Sequence, residues 1–177
     1  FQNSTISNAS SDNKWGLHSR ASYLVLDNVT VSRNGGIGSN WQTSSRGGVY
    51  STGITTIQNS EISNNFDISA SGTQTNVLSN NVDMECYGIV SSGELTVDDS
   101  IIRDNCIAHL YDGNSGNSYN SNCRTSGDWN GNPNCFRIWS YGISAGSLFS
   151  IRNSSVYNNS KISMQQAYSI QSCHYDW

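Results

Sequence analysis

Ile57-Gln58-Asn59-Ser60-Glu61-Ile62-Ser63-Asn64-Asn65 is one of five segments of this sequence that align without an internal gap. The others are Phe1-Gln2-Asn3-Ser4-Thr5-Ile6-Ser7-Asn8, Leu26-Asp27-Asn28-Val29-Thr30-Val31-Ser32-Arg33-Asn34, Val97-Asp98-Asp99-Ser100-Ile101-Ile102-Arg103-Asp104-Asn105 and Ile151-Arg152-Asn153-Ser154-Ser155-Val156-Tyr157-Asn158-Asn159. The shared pattern is apolar, polar, Asn or Asp, small, variable, Ile or Val, two mostly polar residues, then Asn in most copies. Such self-similarity is the signature of a repeat architecture.

Three copies extend upstream in register. Gly48-Val49-Tyr50, Gly88-Ile89-Val90 and Gly142-Ile143-Ser144 each precede the apolar position by nine residues, and Gly16-Leu17-His18 fits with one extra residue. Short apolar stretches follow at 54–57, 95–97 and 148–151. Alternation over three to five residues makes short strands. Asn, Asp and Gly between them turn the chain, because they tolerate left-handed backbone geometry. Each repeat therefore offers two or three short strands. One repeat alone cannot bury its apolar face, whereas stacked repeats place each inward Ile, Val or Leu on its equivalents. Asn at the repeated turn is positioned for a hydrogen-bonded ladder along the stack.

Equivalent apolar positions are spaced 25, 31, 40 and 54 residues apart. A plain coil needs roughly 20 or a little more, and insertions in such folds leave as loops. The spacings predict an all-β, parallel β-helix solenoid of about five coils, with loop insertions near 67–84 and 110–134. The whole of 1–177 reads as a single domain, a segment of a longer solenoid or a filament subunit. A β-sandwich is the alternative that also uses many short strands.

Gly47-Gly48-Val49-Tyr50 followed by Ile62-Ser63-Asn64-Asn65 resembles the Gly-Gly-aliphatic and Phe-x-x-Asn motifs of polymorphic outer-membrane and autotransporter passenger repeats. Ile or Val stands in place of Phe, and the double glycine is complete only at Gly47-Gly48, with Tyr87-Gly88 and Tyr141-Gly142 keeping one. Those repeats and the pectin-lyase-like superfamily form right-handed parallel β-helices. The resemblance implies this fold and an extracellular or cell-surface location, and transfers no catalytic residue.

Composition sets further bounds. The net charge is −4, charged residues are 12% and Pro133 is the single proline. No Lys/Arg run neutralises phosphates, so nucleic acid is set aside as a partner. Apolar runs fall far short of the roughly 18 residues of a membrane span. No signal peptide is visible; the chain opens within a repeat at Phe1, so any targeting segment is expected to have been removed or to lie outside it.

Five cysteines occur without a CxxC, which argues for disulfides in an oxidising compartment over zinc. Cys123 and Cys135 bracket a Gly/Asn-rich loop and form the first expected pair. Cys86 and Cys106 flank one repeat and form the second. Cys173 is left free or available to another chain. Sequons begin at Asn3, Asn8, Asn28, Asn153 and Asn158. Asn3, Asn28 and Asn153 share one repeat slot and Asn8 and Asn158 another, so glycans there would line one edge of the stack.

Candidate chemistry is sparse, and no metal or cofactor is expected. Asp98-Asp99 resembles a carboxylate pair of the kind glycoside hydrolysis needs, yet these residues fill slots held by Gln58-Asn59 and Arg152-Asn153 and read as turn residues. Asp83 and Glu85 would point the same way on a strand. His109 with Asp112 and His174 with Asp176 lie in or beside irregular polar segments. Arg103, Arg124, Arg137 and Arg152 are scattered. Trp41 and Trp129 suit either sugar stacking or loop packing, while Trp15, Trp139 and Trp177 are expected to pack. Thr55, Thr56 and Thr96 do not form the regular array of an ice-binding face. The favoured function is a non-enzymatic structural or adhesive segment of a secreted surface protein or extracellular filament, glycosylated and joined end to end with itself or neighbouring subunits. The alternative is a polysaccharide lyase or glycoside hydrolase on the same fold.

Overall fold

The computed structural model of the protein describes residues 1–8, 15–34, 43–70, 82–112 and 136–166. Fifteen strands and no helix occur among them. They are β1 (Gln2–Ser7), β2 (Trp15–Ser19), β3 (Tyr23–Ser32), β4 (Thr43–Ser51), β5 (Ile54–Gln58), β6 (Glu61–Ser63), β7 (Asp67–Ala70), β8 (Val82–Ser91), β9 (Leu95–Asp98), β10 (Ile101–Arg103), β11 (Ile107–Asp112), β12 (Phe136–Ala145), β13 (Phe149–Arg152), β14 (Ser155–Tyr157) and β15 (Lys161–Gln166).

All pairing is parallel, and the strands form sheets of eight, four and three, curled into a half-barrel. The first half of β3 pairs with β5 and its second half with β6. The registers follow the sequence repeat: Gln2 lies beside Asp27, Leu26 beside Ile57, Ile57 beside Val97, and Val97 beside Ile151. Leu17 pairs with Val49, which absorbs the extra residue of the first upstream segment. Residues 9–14, 35–42, 71–81 and 113–135 each fall between the last described strand of one repeat and the first strand of the next.

Two repeat slots make the bends. All ten non-glycine residues with positive φ occupy them among the described residues: Asn3, Asn28, Asn59, Asp99 and Asn153 in one, and Asn8, Arg33, Asn64, Asp104 and Asn158 in the other. Asn and Asp enter this left-handed region more readily than other side chains. Arg33 is the one departure in type. Between the bends, Leu26, Ile57 and Val97 form one buried column and Val31, Ile62 and Ile102 a second. Each such side chain contributes on the order of 1.5–3 kcal/mol through burial.

Two internal hydrogen-bond ladders accompany these columns. Asn34 Nδ2 donates to Asn65 Oδ1 at 2.9 Å, Asn65 to Asn105 at 2.8 Å and Asn105 to Asn159 at 2.9 Å. Each Nδ2 also donates to a backbone carbonyl of the preceding repeat: Ile6, Val31, Ile62 and Ile102. The second ladder uses the small slot. Ser60, Ser100 and Ser154 each donate Oγ–H to the carbonyl two residues back, at 2.6 Å. Each Oγ accepts a backbone N–H from the repeat before, namely Val29, Ser60 and Ser100. The buried Asn and Ser side chains of the ladders are thereby satisfied at each rung.

The structure corrects parts of the sequence reading. The expected insertions at 67–84 and 110–134 begin too early: β7 occupies 67–70, β8 starts at Val82, and β11 runs to Asp112. The third and fourth spacings thus hide β7 and β11, which with β15 make a further sheet. Repeats from β4 onward carry four strands each rather than two or three. His109 and Asp112 lie in β11, whose last residue is Asp112. As expected for a strand, the backbone of Asp83 and Glu85 is part of β8, and that of Arg137 and Trp139 is part of β12.

Candidate functional site

Several acidic and basic side chains join neighbouring repeats. Asp98 pairs with Arg152 (2.7 Å), and Arg103 bridges Glu61 (2.7 Å) and Asp104 (2.9 Å). The hydrogen bond to Asp104, with Glu61 nearby, holds the Arg103 guanidinium further into its charged form. Asp99 is a bend residue with φ 46° and is exposed, so Asp98 and Asp99 serve different structural positions. On the same row, Asp27 accepts from Asn59 at 3.0 Å and Gln2 at 3.2 Å. The Asn59 hydrogen bond leads in lowering its pKa.

Outside the four-stranded sheet, Trp15, Tyr87 and Tyr141 form a column. Tyr87 stacks on Tyr141 with centroids 4.9 Å apart, and Trp15 on Tyr87 at 6.1 Å. Gly47 holds the register position between Trp15 and Tyr87. A Cβ there would stand 2.8 Å from the Trp15 ring, so glycine lets the indole lean across. Glu85 Oε2 accepts from Ser45 Oγ (2.6 Å) and from the Tyr87 hydroxyl (3.1 Å). Burial first, and the Glu85 carboxylate second, raise the Tyr87 pKa well above the ordinary phenol range. Trp15 therefore packs, as expected of it. Trp41, Trp129, Trp177, Arg124, His174 and Asp176 lie outside the described residues, as do the side chains of Asp83, His109, Asp112, Arg137 and Trp139.

One corner is closed differently in successive repeats. Cys86 and Cys106 stand at disulfide distance, with Cα atoms 5.8 Å apart. Arg46 is the register partner of Cys86 in the repeat before, and its guanidinium lies 5.9 Å from the ring centre of buried Phe66. Ser140 takes the place of Cys86 in the repeat after and donates to the Asn159 carbonyl at 2.7 Å. The sequence gives no common residue type here, which is why the Arg46–Phe66 contact has no signature. Cys123, Cys135 and Cys173 lie outside the described residues.

The five sequon asparagines are all exposed and all at positive φ. Asn28 Nδ2 donates to Asn3 Oδ1 at 2.8 Å, so this outer slot also forms a rung.

The other distinctive surface is the edge made by β13 and β14. Among the described strands, β13 pairs only with β9 and β14 only with β10. Their residues stand in the core columns, yet Ile151 is 41% and Val156 40% exposed, while their partners Val97 and Ile102 are fully buried. Phe149 and Leu148 are exposed beside them.

Among the described residues, no group of three or more His, Cys, Asp or Glu is placed to hold a metal ion, and no helix is long and apolar enough to cross a membrane. Comparison with protein-family models, curated proteins and solved structures returns no match.

Proposed function

We propose that the chain is a segment of right-handed parallel β-helix solenoid with a structural or adhesive, non-enzymatic role in a secreted surface protein or extracellular filament. The observation that carries this reading is the use of the polar slots. Asn34, Asn65, Asn105 and Asn159 run as one ladder, Ser60, Ser100 and Ser154 as a second, and Asp98, Glu61 and Arg103 join neighbouring repeats. These side chains hold strands together and do not converge on a cleft. The parallel registers and the right-handed preference of parallel crossovers support the solenoid. The Cys86–Cys106 pair supports an oxidising compartment. The exposed Asn3, Asn8, Asn28, Asn153 and Asn158 support N-glycans along the bends, and the resemblance to autotransporter passenger repeats agrees with a surface location.

Electron microscopy of material isolated from its source, combined with a screen of acidic and neutral polysaccharides for cleavage, tests the reading. Ordered fibres or surface projections without cleavage are expected. Turnover of any polysaccharide overturns it in favour of a lyase or hydrolase. Peptide mapping decides the glycans separately: wholly unmodified Asn28 and Asn153 remove that part.

A further inference from the structure

The outer face of the four-stranded sheet brings two phenols together. Tyr87 in β8 and Tyr141 in β12 are register partners on adjacent parallel strands. Their ring centroids lie 4.9 Å apart, with the ring planes only 14° from parallel. Of the other tyrosines whose side chains are described, Tyr23 stands opposite Ile54, Tyr50 opposite His18 and Val90, and Tyr157 opposite Arg103. Tyr87 and Tyr141 are thus the one tyrosine pair in register among them. Both are half-buried, so their neighbours hold the rings while solvent still reaches them.

The surroundings equip this pair for one-electron chemistry. The Tyr87 hydroxyl donates to Glu85 Oε2 at 3.1 Å, and Ser45 Oγ donates to the same oxygen at 2.6 Å and fixes the carboxylate. Burial and Glu85 keep Tyr87 a neutral phenol at ordinary pH. A neutral phenol becomes strongly acidic once oxidised, so its proton needs an acceptor already within hydrogen-bond reach, and Glu85 is that acceptor. Trp15 stacks on Tyr87 from the side of the preceding repeats, with centroids 6.1 Å apart. The indole is in ring contact and can pass an electron vacancy to the phenol.

We infer that Tyr87 and Tyr141 form an oxidative cross-linking site, at which hydrogen peroxide acting through a haem peroxidase joins the two rings as dityrosine. The peroxidase takes one electron from each phenol, directly or through Trp15. The Tyr87 proton passes to Glu85 and on to water, and the Tyr141 proton passes to water. The two phenoxyl radicals join through a ring carbon ortho to each oxygen, Cε to Cε. Each of those carbons then gives up its hydrogen while each oxygen regains one. The pair has lost two protons and two electrons, and the peroxide that takes them up becomes two waters. The ring centres need little translation, and the broad χ2 well of a tyrosine allows the rings to turn. The new bond links consecutive repeats, beside Cys86, whose pairing with Cys106 stays within one repeat. Unlike a disulfide, it is not reversed by thiols.

The test treats the full chain, dilute and folded, with a haem peroxidase and limiting hydrogen peroxide, and follows dityrosine fluorescence and peptide maps. The expected main product is a linked peptide pair, Tyr87 to Tyr141, two hydrogens lighter than its parts. It forms within one chain, so a mixture of light- and heavy-isotope protein gives no mixed pair. Tyr87→Phe and Tyr141→Phe each abolish it at an unchanged circular dichroism spectrum, and Tyr50→Phe leaves it intact. Glu85→Gln slows its formation several-fold without moving it, and an unchanged rate there overturns the proton path. A Tyr87–Tyr141 yield below that of any other tyrosine pair, a product formed between chains, or an equal yield from chain unfolded in urea overturns the inference. None of these outcomes bears on the surface role proposed above, which native-source microscopy and the polysaccharide screen decide.

Discussion

Asn105→Ala is expected to be the most damaging single truncation of a polar side chain in the described structure. Asn105 is fully buried, accepts from Asn65 Nδ2 at 2.8 Å, and donates to Asn159 Oδ1 at 2.9 Å and to the Ile62 carbonyl at 2.7 Å. Alanine deletes all three bonds. Asn159 Oδ1 then keeps only the longer backbone N–H of residue 105, at 3.3 Å. A net loss of about 1 kcal/mol per bond, with further loss for buried partners left unsatisfied, gives about 3–5 kcal/mol. That is a large share of the roughly 5–15 kcal/mol that stabilises a domain. With a urea m-value of about 2 kcal/mol/M, the midpoint falls by about 2 M. Urea titration followed by far-ultraviolet circular dichroism reads this directly. Asn105→Asp sharpens the test, since it sets a carboxylate oxygen against Asn159 Oδ1 and the Ile62 carbonyl. Burial raises that carboxyl's pKa. A raised folded-state pKa gives stability that is retained below the unfolded value and lost as pH rises through the folded one. Asn105→Asp therefore recovers towards Asn105→Ala on acidification from pH 7 to pH 4. An Asn105→Ala loss under about 1 kcal/mol at unchanged m-value would refute the ladder as a source of stability.

Three further outcomes follow from the geometry. Replacing Cys86 and Cys106 by serine is expected to cost about 3 kcal/mol, from their separation of 20 residues; thiol titration of the unfolded protein before and after reduction shows whether the pair is bonded, and equal midpoints for variant and wild type would contradict the expectation. Gly88→Ala places a Cβ 2.5 Å from the Gly142 carbonyl oxygen and 2.6 Å from Ile102 Cγ2; loss of on the order of 2 kcal/mol or more by overpacking is expected, in contrast to near-neutrality at an open position. Tyr87 stays protonated in the folded chain as pH rises past 10, because burial and Glu85 both oppose its ionisation; the native absorbance titration at 295 nm should be the same for Tyr87→Phe and wild type up to unfolding, and a lost step near pH 10 would sink the assignment. By linkage, Tyr87 disfavours the fold only above the unfolded phenol's pKa, so Tyr87→Phe softens alkaline unfolding.

The repeat was legible because its slots have narrow requirements. Positive φ selects Asn or Asp, the columns select Ile, Val or Leu, and the Asn ladder selects its own residue type. The offsets between aligned motifs therefore reappear as strand registers. The strands β7, β11 and β15 were not legible. Asp67-Ile68-Ser69-Ala70, Ile107-Ala108-His109-Leu110 and Lys161-Ile162-Ser163-Met164 share too little pattern, and their pairing with one another spans 40 and 54 residues. The Ser ladder was visible only as a preference for a small residue, since its purpose is a backbone donor in another repeat. Val29 holds that slot in the second motif and hides the hydroxyl requirement. The Cys86–Cys106 corner was found through its residue type, whereas Arg46–Phe66 closes the matching corner with unrelated chemistry.

The positions of 9–14, 35–42, 71–81 and 113–135 bear on how this chain tolerates change in length. All four fall between the last described strand of one repeat and the first strand of the next, and they differ almost fourfold in length while the registers on either side stay matched. Foreign peptides grafted at that point, an epitope or a protease site, should therefore be carried with little loss of stability. The same graft at Asn59 or Asn64, inside the motif, would break two ladders at once.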